Sequence, residues 1–186
     1  MIGIDEVGRG AWAGPLLVVA ARLKPHHHLP EDLTDSKLLT KKQKEQFYQQ
    51  LLITCEFGEG WVDVGEIDDI GLAGALKLGA SRAVANLENS EGEEIIIDGS
   101  INFLDKKHEK VRAVVKADIS VPIVSAASVY AKVLRDNYMT RLHFENPQYK
   151  FNEHVGYGTQ KHIEALKKYG VSRYHRKSFK PIMELL

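Results

Sequence analysis

Cysteine is nearly absent: Cys55 is the only one in 186 residues. That excludes an intramolecular disulfide framework and a cysteine-rich zinc site. Cys55 reads as a small buried hydrophobe in a strand rather than a nucleophile. Long apolar runs are missing too. Leu16 to Ala21 is far shorter than the about 20 residues that cross a bilayer, and no stretch resembles a signal peptide. The expectation is a cytoplasmic protein with no membrane partner. Net charge is also lacking, because 25 Lys and Arg balance 25 Asp and Glu. Global charge therefore does not announce a nucleic-acid binder, and that reading must rest on local patches. No internal repeat or low-complexity block breaks the chain. A hydrophobic fraction of 44% with 27% charged residues fits one ordinary globular domain that can bury its own core.

What is present begins at the first ten residues, Met1 to Gly10. Ile2 and Ile4 alternate with Gly3 and Asp5, the period of a half-buried strand. Two adjacent carboxylates, Asp5 and Glu6, follow, and then a Gly8-Arg9-Gly10 turn. Neighbouring side chains on a regular strand point to opposite faces. Asp5 and Glu6 are therefore expected to share a site only where the strand ends or bulges. Gly8 and Gly10 permit such a break and leave backbone N–H groups open to a ligand. A metal or acid/base site beside a phosphate cradle is one reading. A surface strand end with solvated charges is the other.

Further along, Pro15 to Leu23 is a nearly continuous apolar strand, expected to be central. His26, His27 and His28 sit between prolines and read as a solvated loop. Thr40 is a candidate N-cap for a charged helix from Lys41 to Leu52. Thr54 to Val64 reads as a third strand. Glu66, Asp68 and Asp69 fall in the first turns of the next helix, where the helix dipole explains them without a function. Leu72, Leu76, Ala80 and Val84 then mark one buried helix face.

Glu94 to Gly99 contains three consecutive isoleucines, a fully buried strand ending in Asp98. A carboxylate at that end lies where α/β folds place their ligands. Val111 to Lys116 reads as a fifth strand ending in Lys116-Ala117-Asp118. A long helix is expected from Ser125 to about Phe144, with Asp136 either in a surface ion pair with Lys132 or supporting the site from behind. Gly156-Tyr157-Gly158-Thr159 is a tight turn presenting an aromatic, and Thr159 caps a helix to about Tyr169. From Tyr157 to Leu186 seven Lys and Arg stand against two Glu. This basic segment with interleaved aromatics suits a phosphate backbone. Asp5/Glu6, Asp98 and Asp118 all fall at strand ends, and an oxygen-only donor set suits Mg²⁺ or Mn²⁺ better than zinc. Carboxylate-held metal beside a phosphate cradle implies phosphoryl chemistry.

These pieces together resemble type 2 ribonuclease H, the ribonuclease HII family. The resemblance is carried by Asp5-Glu6-Val7-Gly8-Arg9-Gly10, Asp35-Ser36-Lys37, Asp98-Gly99 and Lys116-Ala117-Asp118. It continues through Ser125 to Ser128 with Ala131-Lys132-Val133 and Arg135-Asp136, then Gly156 to Thr159, and His175 to Phe179. It spans the whole chain in the family's order. It implies an α/β, ribonuclease H-like fold: a five-stranded mixed sheet flanked by helices. Residues 1 to about 145 would form the core of this single domain, and about 146 to 186 a helical, basic C-terminal portion. The implied activity is endonucleolytic cutting of the RNA strand of RNA–DNA hybrids and incision 5′ to single ribonucleotides in duplex DNA. The products would carry 5′-phosphate and 3′-hydroxyl ends.

Carried onto this chain, the resemblance makes Asp5, Glu6, Asp98 and Asp118 the catalytic carboxylates around two divalent ions. Asp5 would bridge them, with Asp118 on the nucleophile side and Glu6 and Asp98 on the leaving-group side. Gly8, Arg9 and Gly10 would read the ribose 2′-hydroxyl, and Tyr157 would pack on the sugar at the RNA–DNA junction. Ser36, Lys37, Arg176 and Lys177 would complete the substrate contacts, with Lys37 and the tail on phosphates. Ala11 and Trp12 depart from the family's usual proline and small or apolar residue. The chain starts almost at the catalytic strand, so no preceding substrate-binding domain is expected, unlike the type 3 enzymes. Two other readings stand beside this one: a binding protein of the same fold without catalysis, and a resolvase- or integrase-like metal nuclease. A monomer is the simplest expectation. Pro181 to Leu186 carries no clear motif for a replication clamp.

Overall fold

The computed structural model describes residues 1–33, 36, 39–88, 90, 92–105 and 108–186. Asp35 and the expected phosphate contact Lys37 lie outside the described residues.

The strands are β1 (Ile2–Val7), β2 (Leu16–Leu23), β3 (Cys55–Val62), β4 (Ile95–Asp98) and β5 (Val111–Val114). They form one sheet in the order β3-β2-β1-β4-β5. β3, β2 and β1 pair antiparallel, and β4 and β5 join β1 in parallel. This is the mixed five-stranded α/β sheet expected from the sequence. The helices are α1 (Lys41–Thr54), α2 (Val64–Ala85), α3 (Ala117–Ser120) and α4 (Pro122–Glu145). After a 3₁₀ turn at Pro147–Tyr149 come α5 (Phe151–His154), α6 (Gln160–Tyr169) and α7 (Lys180–Met183).

The unbroken apolar run of β2 follows from burial on both faces. Leu16, Val18 and Ala20 join a core with Ile2, Ile4, Ile95, Ile97 and α2. Leu17, Val19 and Ala21 join a second core with Ile96, α1 and α4. Each buried Leu, Ile or Val among them contributes about 2 kcal/mol of transfer free energy. α4 lies so close to β1 that a Cβ on Gly3 would stand 2.6 Å from the backbone of Val124. This close seating sets α4 directly behind Asp5. A third, smaller core joins Ala13 of the β1–β2 loop to Met139 and Leu142 of α4 and to Tyr149, Phe151 and Ala165. The C-terminal portion is thereby packed on the first loop of the chain.

Several boundaries differ from the sequence reading. Thr54 closes α1, so β3 starts at Cys55. β3 stops at Val62, because Asp63 caps α2 in a reciprocal capping box with Glu66. Gly71 leaves helical geometry at φ 69° and interrupts α2. β5 ends at Val114, Lys116 takes a left-handed conformation at φ 60°, and α3 begins at once. Asp118 is thus in the first turn of a short helix, not at a strand end. α4 opens at Pro122 rather than Ser125, as proline at the first helical position favours. Thr40 does cap α1, also in a capping box with Gln43. Among the described residues no helix is long and apolar enough to cross a membrane.

Candidate active site

The centre of the sheet positions the first carboxylates. Ile4 of β1 pairs with Ile97 of β4, so Asp5 and Asp98 follow in step on adjacent parallel strands. Both alternate onto the face that α4 covers. β1 does not break at its two acidic residues. Glu6 pairs with Val18 and Val7 with Leu17 in unbroken register. Glu6 therefore leaves the strand on the side opposite Asp5, and its carboxylate lies 3.6 Å from the Arg9 guanidinium. The break expected within the pair comes later, at Gly8 (φ 87°).

Asp5 is buried, at 8% exposure, and burial is the main reason its carboxyl is pushed up to about 7. The negative charges of Glu6 and, less strongly, Asp98 push in the same direction, while a hydrogen bond with Ser128 opposes them. Ser128 on α4 lies 3.0 Å from the hydroxyl of Ser36. Ser36, expected at the substrate, is buried behind Asp5. Asp98 accepts a 2.7 Å hydrogen bond from the Ala117 N–H and so fixes the start of α3. Asp118, one residue on, is 3% exposed, and its carbonyl accepts a bond from Ser125. Among the described residues, no three His, Cys, Asp or Glu side chains stand ready to hold a metal ion.

Beside the carboxylates the Gly8–Gly14 loop is held from behind by two fully buried arginines, Arg135 and Arg176. Arg135 donates to the carbonyls of Pro15, Ala13 and Val155. Burial lowers its pKa. Gly8 must be glycine here: its φ is positive, and a Cβ would meet Arg135 Nε at 2.2 Å. Arg176 donates to the carbonyls of Gly14 and Arg9 and is pushed down to about 9, chiefly by burial and then by the charge of Arg135. Its Nη2 is a buried donor with no partner among the described residues. As placed, Arg176 is fully buried and holds the loop. Lys177 beside it is exposed, and its N–H, with the N–H and hydroxyl of Ser178, binds Asp68. The helix dipole expected to explain Asp68 is therefore not its role: Asp68 anchors the basic tail to α2.

The same loop is stitched to the Tyr157 turn. The N–H groups of Trp12 and Ala13 both donate to the Gly156 carbonyl, at 2.8 and 3.3 Å. Trp12 lies on Gly158, where a Cβ would be 2.1 Å from its ring. The departure at Trp12 thus adds a packing contact between the Gly-Arg-Gly loop and the turn. Val155, just before the turn, is held at φ 43°, a strained conformation for a β-branched residue, and Arg135 binds its carbonyl. The Arg135 guanidinium also lies 5.7 Å from the centre of the half-buried Tyr157 ring. Gly10 stands open, with no atom within 4 Å of a Cβ built on it.

A family model, ribonuclease HII, matches residues 2–182. The chain belongs to the ribonuclease HII family. Ribonuclease HII of Wolbachia sp. subsp. Brugia malayi is 40% identical over 181 residues, covering 97% of this chain and 88% of that one. The Coxiella burnetii (strain Dugway 5J108-111) enzyme is 39% identical over 184 residues, covering 98% and 89%. Among solved structures, ribonuclease H2 from Pyrococcus horikoshii OT3 superposes with a TM-score of 0.79 at 25% identity, over 99% of this chain and 95% of that chain. RNase HII of Archaeoglobus fulgidus, solved in complex with PCNA, gives 0.77 at 25% identity, over 96% and 94%. The protein is thus an endoribonuclease of RNA–DNA hybrids, and the resolvase or integrase reading falls away.

Two features of this ribonuclease HII escaped the sequence reading. One is Arg135 as a buried anchor. Its signal was the spacing Ser128, Ala131, Arg135, Met139, Leu142, which sets it on the buried stripe of α4. The other is a set of three buried histidines, His154, His162 and His175, under the Tyr157 turn. His162 shares the buried face of α6 with Ala165 and Leu166, which was likewise visible in the spacing.

Proposed function

We propose that this ribonuclease HII incises 5′ to single ribonucleotides in duplex DNA as well as cutting hybrids, by metal-assisted phosphodiester hydrolysis at Asp5, Glu6, Asp98 and Asp118. The donor set fits Mg²⁺ or Mn²⁺: the carboxylates on β1, β4 and α3 are oxygen donors, and no thiol lies among them. Asp5 supports this most directly. A buried carboxylate beside two others is destabilised when ionised, and a cation relieves that cost. Divalent ions held by these four residues would lower the pKa of the attacking water and neutralise charge on the leaving oxygen.

The remaining chemistry belongs to the chain. Gly8, Arg9 and Gly10 meet the ribose 2′-hydroxyl and the adjoining phosphate through backbone groups, and the open face of Gly10 admits that approach. Tyr157 packs on the sugar at the junction. Exposed Lys177 supplies phosphate attraction, and Lys37 is assigned the same role from the sequence. The observation that carries the reading is the stitching of Trp12 and Ala13 to Gly156. It makes the 2′-hydroxyl loop and the Tyr157 turn one unit beside the carboxylates.

The test is a DNA duplex containing one ribonucleotide, incubated with and without Mg²⁺ or Mn²⁺. Metal-dependent incision 5′ to the ribonucleotide, leaving 3′-hydroxyl and 5′-phosphate ends, is expected. Cutting of continuous hybrids alone would overturn the single-ribonucleotide claim.

A further inference from the structure

The three buried histidines lie outside the carboxylate site, and the reaction as described does not use them. Their hydrogen bonds nevertheless have a direction. The Ser172 N–H donates to His175 Nδ1 at 3.0 Å, and the Ser172 hydroxyl lies 2.8 Å from the same nitrogen. Nδ1 is therefore an acceptor, and the proton of His175 is on Nε2. His175 Nε2 lies 3.0 Å from His162 Nε2. One of the two must donate, and only His175 has its proton there. His162 then carries its proton on Nδ1, which donates to the Tyr157 carbonyl at 3.0 Å. A carbonyl can only accept, so both ends of the chain give the same assignment. The chain runs Ser172, His175, His162, Tyr157, with each imidazole neutral and in a single tautomer.

The third histidine closes the arrangement. His154 stacks on His162 with ring centroids 4.3 Å apart. Its Nε2–H donates to the Tyr149 carbonyl, and its Nδ1 accepts from the Gly156 N–H. Both backbone groups flanking the turn, the Gly156 N–H and the Tyr157 carbonyl, are thus held by imidazoles. Trp12 packs on Gly158 and, with ring centroids 5.8 Å apart, on His162 as well. A bland reading is available, in which these are satisfied core histidines filling space. Against it stands the chain's end point. It terminates on the backbone of Tyr157, two residues after the strained Val155, where small errors in backbone direction swing the phenol ring.

We propose that His162 and His175 are positioning residues that aim Tyr157 at the sugar of an embedded ribonucleotide, and so tune the preference for single-ribonucleotide duplexes over continuous hybrids. This rests on the reading of Tyr157 as the junction platform. A second proton on His162 would set two N–H groups face to face across the 3.0 Å contact with His175, and a second proton on His175 would oppose the Ser172 N–H at 3.0 Å. Burial already holds both rings down to about 4, in keeping with neutral partners.

Two measurements test it together. ¹⁵N NMR of the imidazoles in the intact protein at neutral pH is expected to show His162 as the Nδ1–H tautomer and His175 as Nε2–H. The opposite pattern, or averaging between tautomers, would overturn the chain whatever the kinetics. The kinetic arm compares kcat/KM on the single-ribonucleotide duplex and on a hybrid. His162→Phe keeps the ring and removes both hydrogen bonds. It is expected to lower the ratio about tenfold, while His162→Gln, with one donor and one acceptor, recovers it to within about threefold. Equal losses on both substrates would reduce the histidines to packing and overturn the proposal. If His162→Phe does not fold, His175→Phe takes its place with the same expected loss, and His175→Gln is its rescue. Tyr157→Ala is the control. If it lowers the ratio and the histidine variants do not, positioning fails and the platform stands. If it leaves the ratio unchanged, the platform fails and the aiming role with it.

Discussion

The carboxylate end of the sheet and the turn that faces it are built on opposite electrostatic plans. At the sheet, Asp5 is buried beside Glu6 and Asp98, whose charges raise the cost of ionising it. At the turn, every backbone group that matters has a partner. Buried Arg135 binds three carbonyls, and three neutral histidines close the rest. The first region gains by binding something positive. The second is rigid before anything arrives. On the proposed reading, chemistry would rest on stored electrostatic cost and recognition on prior order, which would limit the entropy lost when substrate docks.

Substitutions at the sheet give the largest expected effects. Asp98→Asn is expected to lower cleavage about a thousandfold while duplex binding survives, as seen by single-turnover kinetics and a binding titration. Strong residual cutting would take Asp98 out of the site. Asp5→Asn should be equally inactive and yet more stable. A carboxyl raised to about 7 in the folded state gives its full stabilisation below the unfolded value of 3.8 and loses it as pH rises through 7. At pH 8, without divalent metal, the substitution is expected to raise stability by about 1–2 kcal/mol in urea unfolding.

The turn should respond in the opposite sense. Arg135→Met leaves three carbonyls without a donor and is expected to cost about 3 kcal/mol, little of it recovered by Arg135→Lys, since an ammonium lacks the guanidinium fork. Urea midpoints measure both. Acid should act on the same region. His162 and His175 are held near 4, below the ordinary 6.5, so the unfolded chain takes up more protons. Their contribution is complete above 6.5 and is lost as pH falls toward 4, by up to about 3 kcal/mol for each ring. Around them stand His154 stacked on His162, Tyr149 edge-on to His175, and the surface pair Lys161–Glu153. Asp5 acts with the opposite sign in this range, so the measurement is made on Asp5→Asn, where stability that stays flat from pH 7 to 4.5 would contradict a neutral, buried pair. The smallest effect belongs to Lys177→Ala, which should weaken hybrid binding about twofold and lower the salt slope by about one phosphate contact. An unchanged slope would remove Lys177 from the interface.

The sequence disclosed the sheet better than the turn. β1, β2 and β4 were legible because alternating or continuous apolar runs have few other uses. The boundary errors are local. Cys55 could end a helix or start a strand, and only pairing with Leu23 decides it. Lys116 in a left-handed conformation cut β5 short, and nothing in Val-Val-Lys announces that. The carboxylates stood out at strand ends, although Asp118 arrives on α3 because Asp98 caps that helix. Arg135, Arg176 and the histidines were harder. Their partners are backbone carbonyls far away in the chain, and a carbonyl leaves no mark on the sequence. Asp68 was misread for the same reason: its partners are the N–H groups of Lys177 and Ser178.

The central claim is that Asp5, Glu6, Asp98 and Asp118 converge on divalent cations. Anomalous diffraction from crystals grown with Mn²⁺ and an uncleaved single-ribonucleotide duplex tests it most directly. The account predicts manganese peaks in contact with the Asp5 and Asp98 carboxylates, beside the phosphate 5′ to the ribonucleotide. Manganese bound elsewhere, with these carboxylates still apart, would contradict it.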